Sequence, residues 1–211
     1  MWVLTIDQRA SRRRGDRVPE LLDALPGPGS PGVVLAFDRT VGDEVQGVLD
    51  DADAVVDVVL TAARLGEWSV GVGVGPVHEP LPASTREGSG AAFVRAREAV
   101  ERAKRRAGDL PVAVVGADQA PGAARAADAE AVLRLLAGVA ARRTDAGWEV
   151  VDLLREGLSQ RAAAQRLGVS GQAVSQRVRA SMWPEEAAAR PLAARLLEEA
   201  DAGMNDRGAG T

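Results

Sequence analysis

Five short apolar runs are spread through the front of the chain, and their order constrains the fold more than any other feature. They are WVLTI at 2–6, VVLAF at 33–37, VQGVL at 45–49, WSVGVGVGPV at 68–77 and PVAVVG at 111–116. Each is short, bounded by Gly, Pro or Asp, and rich in Val, as strands are. Between them lie stretches of helical spacing at 17–25, 51–65 and 91–107, the last with Gly108 as its expected stop. PGPGSPG at 26–32 is a strong break, and GDE at 42–44 makes a turn, so 33–49 reads as a hairpin.

The resulting order is β-α-β-β-α-β followed by α-β. It predicts an α+β fold with a ferredoxin-like, palm-type domain over residues 1–117. A linker helix is expected within 118–147, a helix-turn-helix over 148–183, a terminal helix over 184–201 and a disordered tail at 202–211. Pro184 suits the first turn of the terminal helix, and Pro191 is expected to limit or kink its start. Leu192, Leu196, Leu197 and Ala200 form a stripe that should pack on the body or pair two chains.

The residue inventory removes several chemistries. There is no cysteine, so disulfides, thiolate catalysis and cysteine-held metals are excluded, and the single His78 cannot build a histidine zinc site. MWVLTI is too short for a signal-peptide core, and no apolar run approaches the ~18 residues that span a bilayer. A cytoplasmic protein that does not engage membranes is expected. The formal net charge of −4 argues against polyanion binding by the surface as a whole.

Charge distribution says something different. From 159 to 183 the chain holds four arginines, Arg161, Arg166, Arg177 and Arg179, and no acid. This segment reads SQRAAAQRLGVSGQAVSQRVRASMW. Ser159 and Ser170 are good N-caps, Gly168 can adopt the left-handed conformation of a tight turn, and Ala164 is small where two helices cross. Leu158, Ala163, Leu167, Val169, Val174 and Val178 should pack, with Val151 and Leu154 of a preceding helix at 148–156. Ser170, Gln172, Ser175, Gln176 and Arg179 then face outward, where they can bond base edges and phosphates. Arg161, Arg166 and Arg177 suit the phosphate backbone. The segment resembles the helix-turn-helix of sigma-factor region 4 and of LuxR-like regulators. That resemblance implies double-stranded DNA as partner and a homodimer on paired half-sites.

RTVGDEVQGV at 39–48 sets two adjacent carboxylates, Asp43 and Glu44, at a hairpin tip. It resembles the GGDEF signature of diguanylate cyclases and, more loosely, the hairpin of class III nucleotide cyclases; SVGVGVG at 69–75 resembles their next strand. The resemblance implies Mg²⁺ held by Asp7 and Asp43, hence a magnesium-dependent nucleotidyl cyclase as the alternative function. Val41 and Val45 depart from that signature, and ASRRRGD after the first strand lacks the phosphate-cradling pattern, so no catalytic residue is assigned. Asp7, Ser11, Arg12, Arg13, Asp43 and Glu44 are instead expected to line a polar pocket for a phosphorylated, nucleotide-like effector. The order of Asp7, Ser11 and Arg12, GDEVQG at 42–47, GVGVG at 71–75, GSGAAFVRAREAVE at 88–101 and the helix-turn-helix is similar to the SatD family. That likeness implies a bacterial transcription regulator whose cyclase-like palm is not an enzyme and needs no cofactor.

Overall fold

The computed structural model describes residues 1–105, 111–118 and 121–205. The apolar runs pair into one five-stranded mixed sheet, which makes the protein α+β. Strand β1 (Trp2–Gln8) lies at its centre, antiparallel to β3 (Glu44–Leu49) on one side and β4 (Trp68–Val74) on the other. The edges are β2 (Val33–Arg39), antiparallel to β3, and β5 (Val112–Val115), parallel to β4. The order β2-β3-β1-β4-β5 is compatible with a ferredoxin-like arrangement extended by one strand.

Alternation along each strand divides the side chains between two faces. Trp2, Leu4 and Ile6 of β1, Val45 and Leu49 of β3, and Val70, Val72 and Val74 of β4 enter the main core. After one largely exposed helical turn, α1 (Ser11–Arg14), the chain closes that core with α2 (Val18–Ala24), α3 (Ala52–Leu65), α5 (Gly122–Arg142) and α9 (Trp183–Asn205). Helix α3 begins where Asp51 accepts from the amides of Asp53 and Ala54, an N-cap. The opposite face, carrying Val3, Thr5, Gln46 and Val48, meets α4 (Ala91–Arg105). The expected extension of α4 to 107 and its stop at Gly108 lie outside the described residues.

Helix α4 sits unusually close to the sheet. Ala92, Ala96, Ala99 and Ala103 form its fully buried stripe. Beneath them, an added Cβ at Gly71 would come 2.2 Å from the Val100 nitrogen, and one at Gly73 would come 2.1 Å from the Ala92 oxygen. The glycine alternation of β4 is therefore clearance for a helix backbone.

Behind the sheet, α5 begins at Gly122, about a turn before the helical spacing became readable in its Ala-rich start. The chain then forms α6 (Asp145–Arg155), α7 (Gln160–Leu167) and α8 (Gly171–Ala180). These three pack on one another through Val150, Ala163, Ala164, Val174 and Val178, with Leu153, Leu154, Leu167 and Val169 around them. Val150 takes the place expected of Val151. The reason is that α6 serves two cores, since Trp148 and Val151 point into the main one. Ion pairs Arg64–Asp152 and Arg155–Asp57, both at 2.7 Å, fix α6 to α3.

A buried polar knot locks the same junction. The Arg143 and Glu186 side chains are 0% and 1% exposed and meet at 2.5 Å. Arg143 also donates to the Ser181 carbonyl through Nε and Nη2, at 3.2 and 2.9 Å. The Trp148 ring lies between two guanidiniums, those of Arg64 and Arg143, each 4.2 Å from its centroid. Helix α9 then continues through Pro191 to Asn205, beyond the expected end at 201; residues 206–211 of the expected tail lie outside the described ones. Its Ala193, Ala194, Leu197 and Ala200 are buried against the body, Leu196 is half-buried, and Leu192 is exposed. No helix among the described residues is long and apolar enough to cross a membrane.

Candidate functional site

Local chemistry sets the geometry of α7 and α8. The Ser159 hydroxyl accepts from the Ala162 amide at 3.2 Å and that of Ser170 from the Ala173 amide at 3.1 Å, which starts each helix where the sequence places it. Between them Gly168 takes φ 66°, ψ 28°, so the chain reverses in three residues. Val169 then donates its amide to the Ala164 carbonyl at 3.1 Å, seating the turn on the first helix.

With Val174 and Val178 turned inward, helical periodicity sends Gln172, Gln176 and Arg179 outward, and all three are exposed, as is Ser170 at the cap. Arg161 and Arg166 on α7 are exposed as well. Neither they nor Arg179 has an ion-pair partner among the described residues. Two expected members of this set are placed differently. Ser175 is half-buried, and Arg177 reaches back to Glu149 of α6 at 3.0 Å. That pair braces α6 against α8, which removes Arg177 from the freely available cations. Glu149 lies 28 residues away on another helix, so only the tertiary packing reveals the pairing.

The acidic hairpin presents a different picture. Its turn is formed by Gly42 at φ 63°, and Asp7 lies directly opposite Glu44 in the β1–β3 register. Strand pairing thus brings Asp7, Asp43 and Glu44 to one end of the sheet. Burial raises the Asp7 pKa; Lys104 opposes that rise, while nearby Asp43 and Glu44 reinforce it. The Lys104 ammonium sits 2.8 Å from the Asp7 carboxylate, and Glu44 is occupied by the Thr40 hydroxyl at 2.7 Å. Magnesium would need these carboxylates as ligands. The donors do not fit it as arranged, because the Lys104 ammonium already neutralises Asp7 and the Thr40 hydroxyl holds Glu44.

Lys104 is the functional neighbour that sequence reading missed. It lies among arginines in RAREAVERAKRR at 95–106, and only the packing of α4 across β1 carries it to Asp7. Burial works against the Lys104 charge, but its bonds to Asp7 and Glu101 outweigh that and hold its pKa above the ordinary lysine value. For Asp7 the linkage sign follows from its raised pKa: the folded state holds the proton more tightly than the unfolded one. Stability from this group is fully present below the ordinary value of 3.8 and is lost as pH rises above it. Urea titrations from pH 3.5 upward should therefore show wild type losing stability relative to Asp7→Asn as pH increases.

The expected effector pocket is divided. Ser11, Arg12 and Asp43 line an open depression of about 400 Å³ together with Asp16, Arg39 and Gly42. Asp7, Arg13 and Glu44 are not among its walls. Arg39 pairs with Asp16 there, so part of its positive charge is already neutralised. His78 is exposed, with Nδ1 at 3.2 Å from the Ser89 hydroxyl.

No protein-family model matches the chain, and no curated protein or solved structure does so either.

Proposed function

We propose that α6, α7 and α8 form a helix-turn-helix that binds duplex DNA, with α8 entering the major groove, and that the protein is a bacterial, cytoplasmic transcription regulator of SatD-like design. The observation carrying this reading is the outward stripe of Ser170, Gln172, Gln176 and Arg179 on α8, uncovered by the rest of the chain. Polar side chains that can read base edges sit together on it, flanked by the unpaired cations of α7. The ferredoxin-like palm carries no turnover in this reading. It supports the DNA-binding unit through α6 and offers surface for an effector or a second copy, in keeping with helix-turn-helix proteins that bind as two-fold dimers. The rival reading, a magnesium-dependent nucleotidyl cyclase, requires Lys104 to release Asp7. Cyclic or dinucleotide product from ATP or GTP with Mg²⁺ or Mn²⁺, abolished by Asp43→Ala, would establish it instead.

Salt dependence tests the DNA reading. Binding of a fluorescent duplex should weaken steeply as salt rises, with a log–log slope of about −0.9 per phosphate neutralised. Arg166→Ala should shallow that slope by about one unit and weaken all sequences alike. Affinity that does not change with salt would count against the proposal.

A further inference from the structure

A second cavity, larger than the depression beside Asp43 and separate from it, opens on the α4 side of the sheet. Its volume is about 530 Å³, within the range of small-molecule sites. It lies between the hairpin, the 3-10 turn Thr85–Glu87 and the first turns of α4. The turn is held in place where the Arg86 Nε donates to the Arg39 carbonyl at 2.7 Å, and the following loop where His78 donates its amide to the Ser89 carbonyl at 2.9 Å.

Three features of its wall point to one kind of ligand. First, no acid lines it, whereas two arginines do. Arg86 is engaged by the Arg39 carbonyl and by Asp38 at 3.3 Å, but Arg97 is exposed and has no ion-pair partner among the described residues. Second, Gln46 is only 6% exposed; its amide nitrogen donates to Thr5 Oγ1 at 3.0 Å, which leaves Oε1 without a partner among the described residues and free to accept from a bound molecule. Third, the half-buried Phe93 ring forms the apolar side, and Val41 and Val94 at the cavity are left 81% and 70% exposed.

We infer that this cavity binds a small organic anion with a flat apolar body. The ring lies against Phe93 and the two valines, the carboxylate or phosphate meets the Arg97 guanidinium, and a donor on the ligand satisfies Gln46 Oε1. The polar pocket expected beside Asp43 is a different place, and nothing in this inference depends on DNA binding.

Titration of the full-length chain with 4-hydroxyphenyl phosphate, 4-hydroxybenzoate and the neutral 4-hydroxybenzyl alcohol, followed by calorimetry and by the side-chain amide resonance of Gln46, tests it without DNA. At least one anion should bind saturably, with a Kd of about 1 mM or tighter, and the neutral alcohol at least about tenfold more weakly. Preference between the two anions identifies phosphate or carboxylate as the recognised group. Arg97→Gln, an exposed change that leaves the fold intact, should weaken the anion about tenfold or more, and Gln46→Leu should weaken it while preserving the shape of the wall. Saturation absent up to about 10 mM, equal binding of the neutral analogue, or an Arg97→Gln variant that binds like wild type would each overturn the inference.

Discussion

Gly73→Val is expected to cost about 3–5 kcal/mol, a large share of the roughly 5–15 kcal/mol that folded domains possess. The argument is one of distance. A Cβ at this position would stand 2.1 Å from the Ala92 oxygen, 2.3 Å from the Ala96 nitrogen and 2.8 Å from the Ala96 Cα, all backbone atoms of α4. A rotamer change cannot relieve contacts with backbone, so the helix must lift off the sheet. Lifting it separates Ala92 and Ala96 from Val3 and Val48, and Ala99 and Ala103 from Ala113 and Val115. Small side chains have no reach with which to refill such a gap. Urea unfolding followed by circular dichroism should show the midpoint collapse, or no cooperative transition at all. Gly171→Ala supplies the contrast, because nothing lies within 4 Å of its added Cβ. It should hold or slightly raise stability, since alanine is the better helix former. A Gly73→Val protein with the wild-type midpoint would mean that α4 does not rest on β4 as described.

Glu186→Ala should be nearly as damaging, at about 3–5 kcal/mol, because it strands a guanidinium where water cannot reach. Arg143 is 0% exposed at its side chain, and apart from Glu186 its partners among the described residues are the Ser181 carbonyl and the face of Trp148. Arg190, which reaches Glu186 Oε1 at 3.3 Å, would lose a partner too. The loss should be strongly non-additive. Replacing both partners, as Arg143→Met with Glu186→Leu, removes the buried charge together with its counter-charge and should recover much of the stability. Thermal unfolding of the two single variants and the double one measures this directly. Equal losses in all three would show that the pair acts through shape alone.

These two sites also show where sequence reasoning reaches and where it stops. Strands, turns and caps are local, and local chemistry is written in the chain: Ser159, Gly168 and Ser170 behave as their residue types demand, and the five apolar runs become five strands. Alternation in SVGVGVG announces a strand, yet it does not say that the missing side chains make room for a helix more than 15 residues onward. Arg143 and Glu186 are 43 residues apart, and neither carries a local sign that both end up dry. Helix α6 shows an intermediate case. Its apolar periodicity was readable, but serving two cores splits that stripe, so Val150 takes the role expected of Val151.

The candidate site divides in the same way. Gln172, Gln176, Arg179, Arg161 and Arg166 are outward because one helix face alone determines it. Arg177 and Lys104 are claimed by acids on other elements, which only the tertiary fold brings near. Asp7 and Glu44 were expected to meet across adjacent strands and do stand opposite each other. The third participant, the Lys104 ammonium, comes from α4, on the far side of a loop.

Selection of bound fragments from a random duplex pool tests the central proposal most directly. The full chain should enrich one short sequence, in two related half-sites if it acts as a dimer, and Gln172→Ala, Gln176→Ala and Arg179→Ala should each relax the preference at particular positions at a cost of about 1–3 kcal/mol. A pool that emerges unenriched from the wild-type protein, or an enriched sequence unaffected by all three substitutions, would contradict the assignment of α8 as the helix that reads DNA.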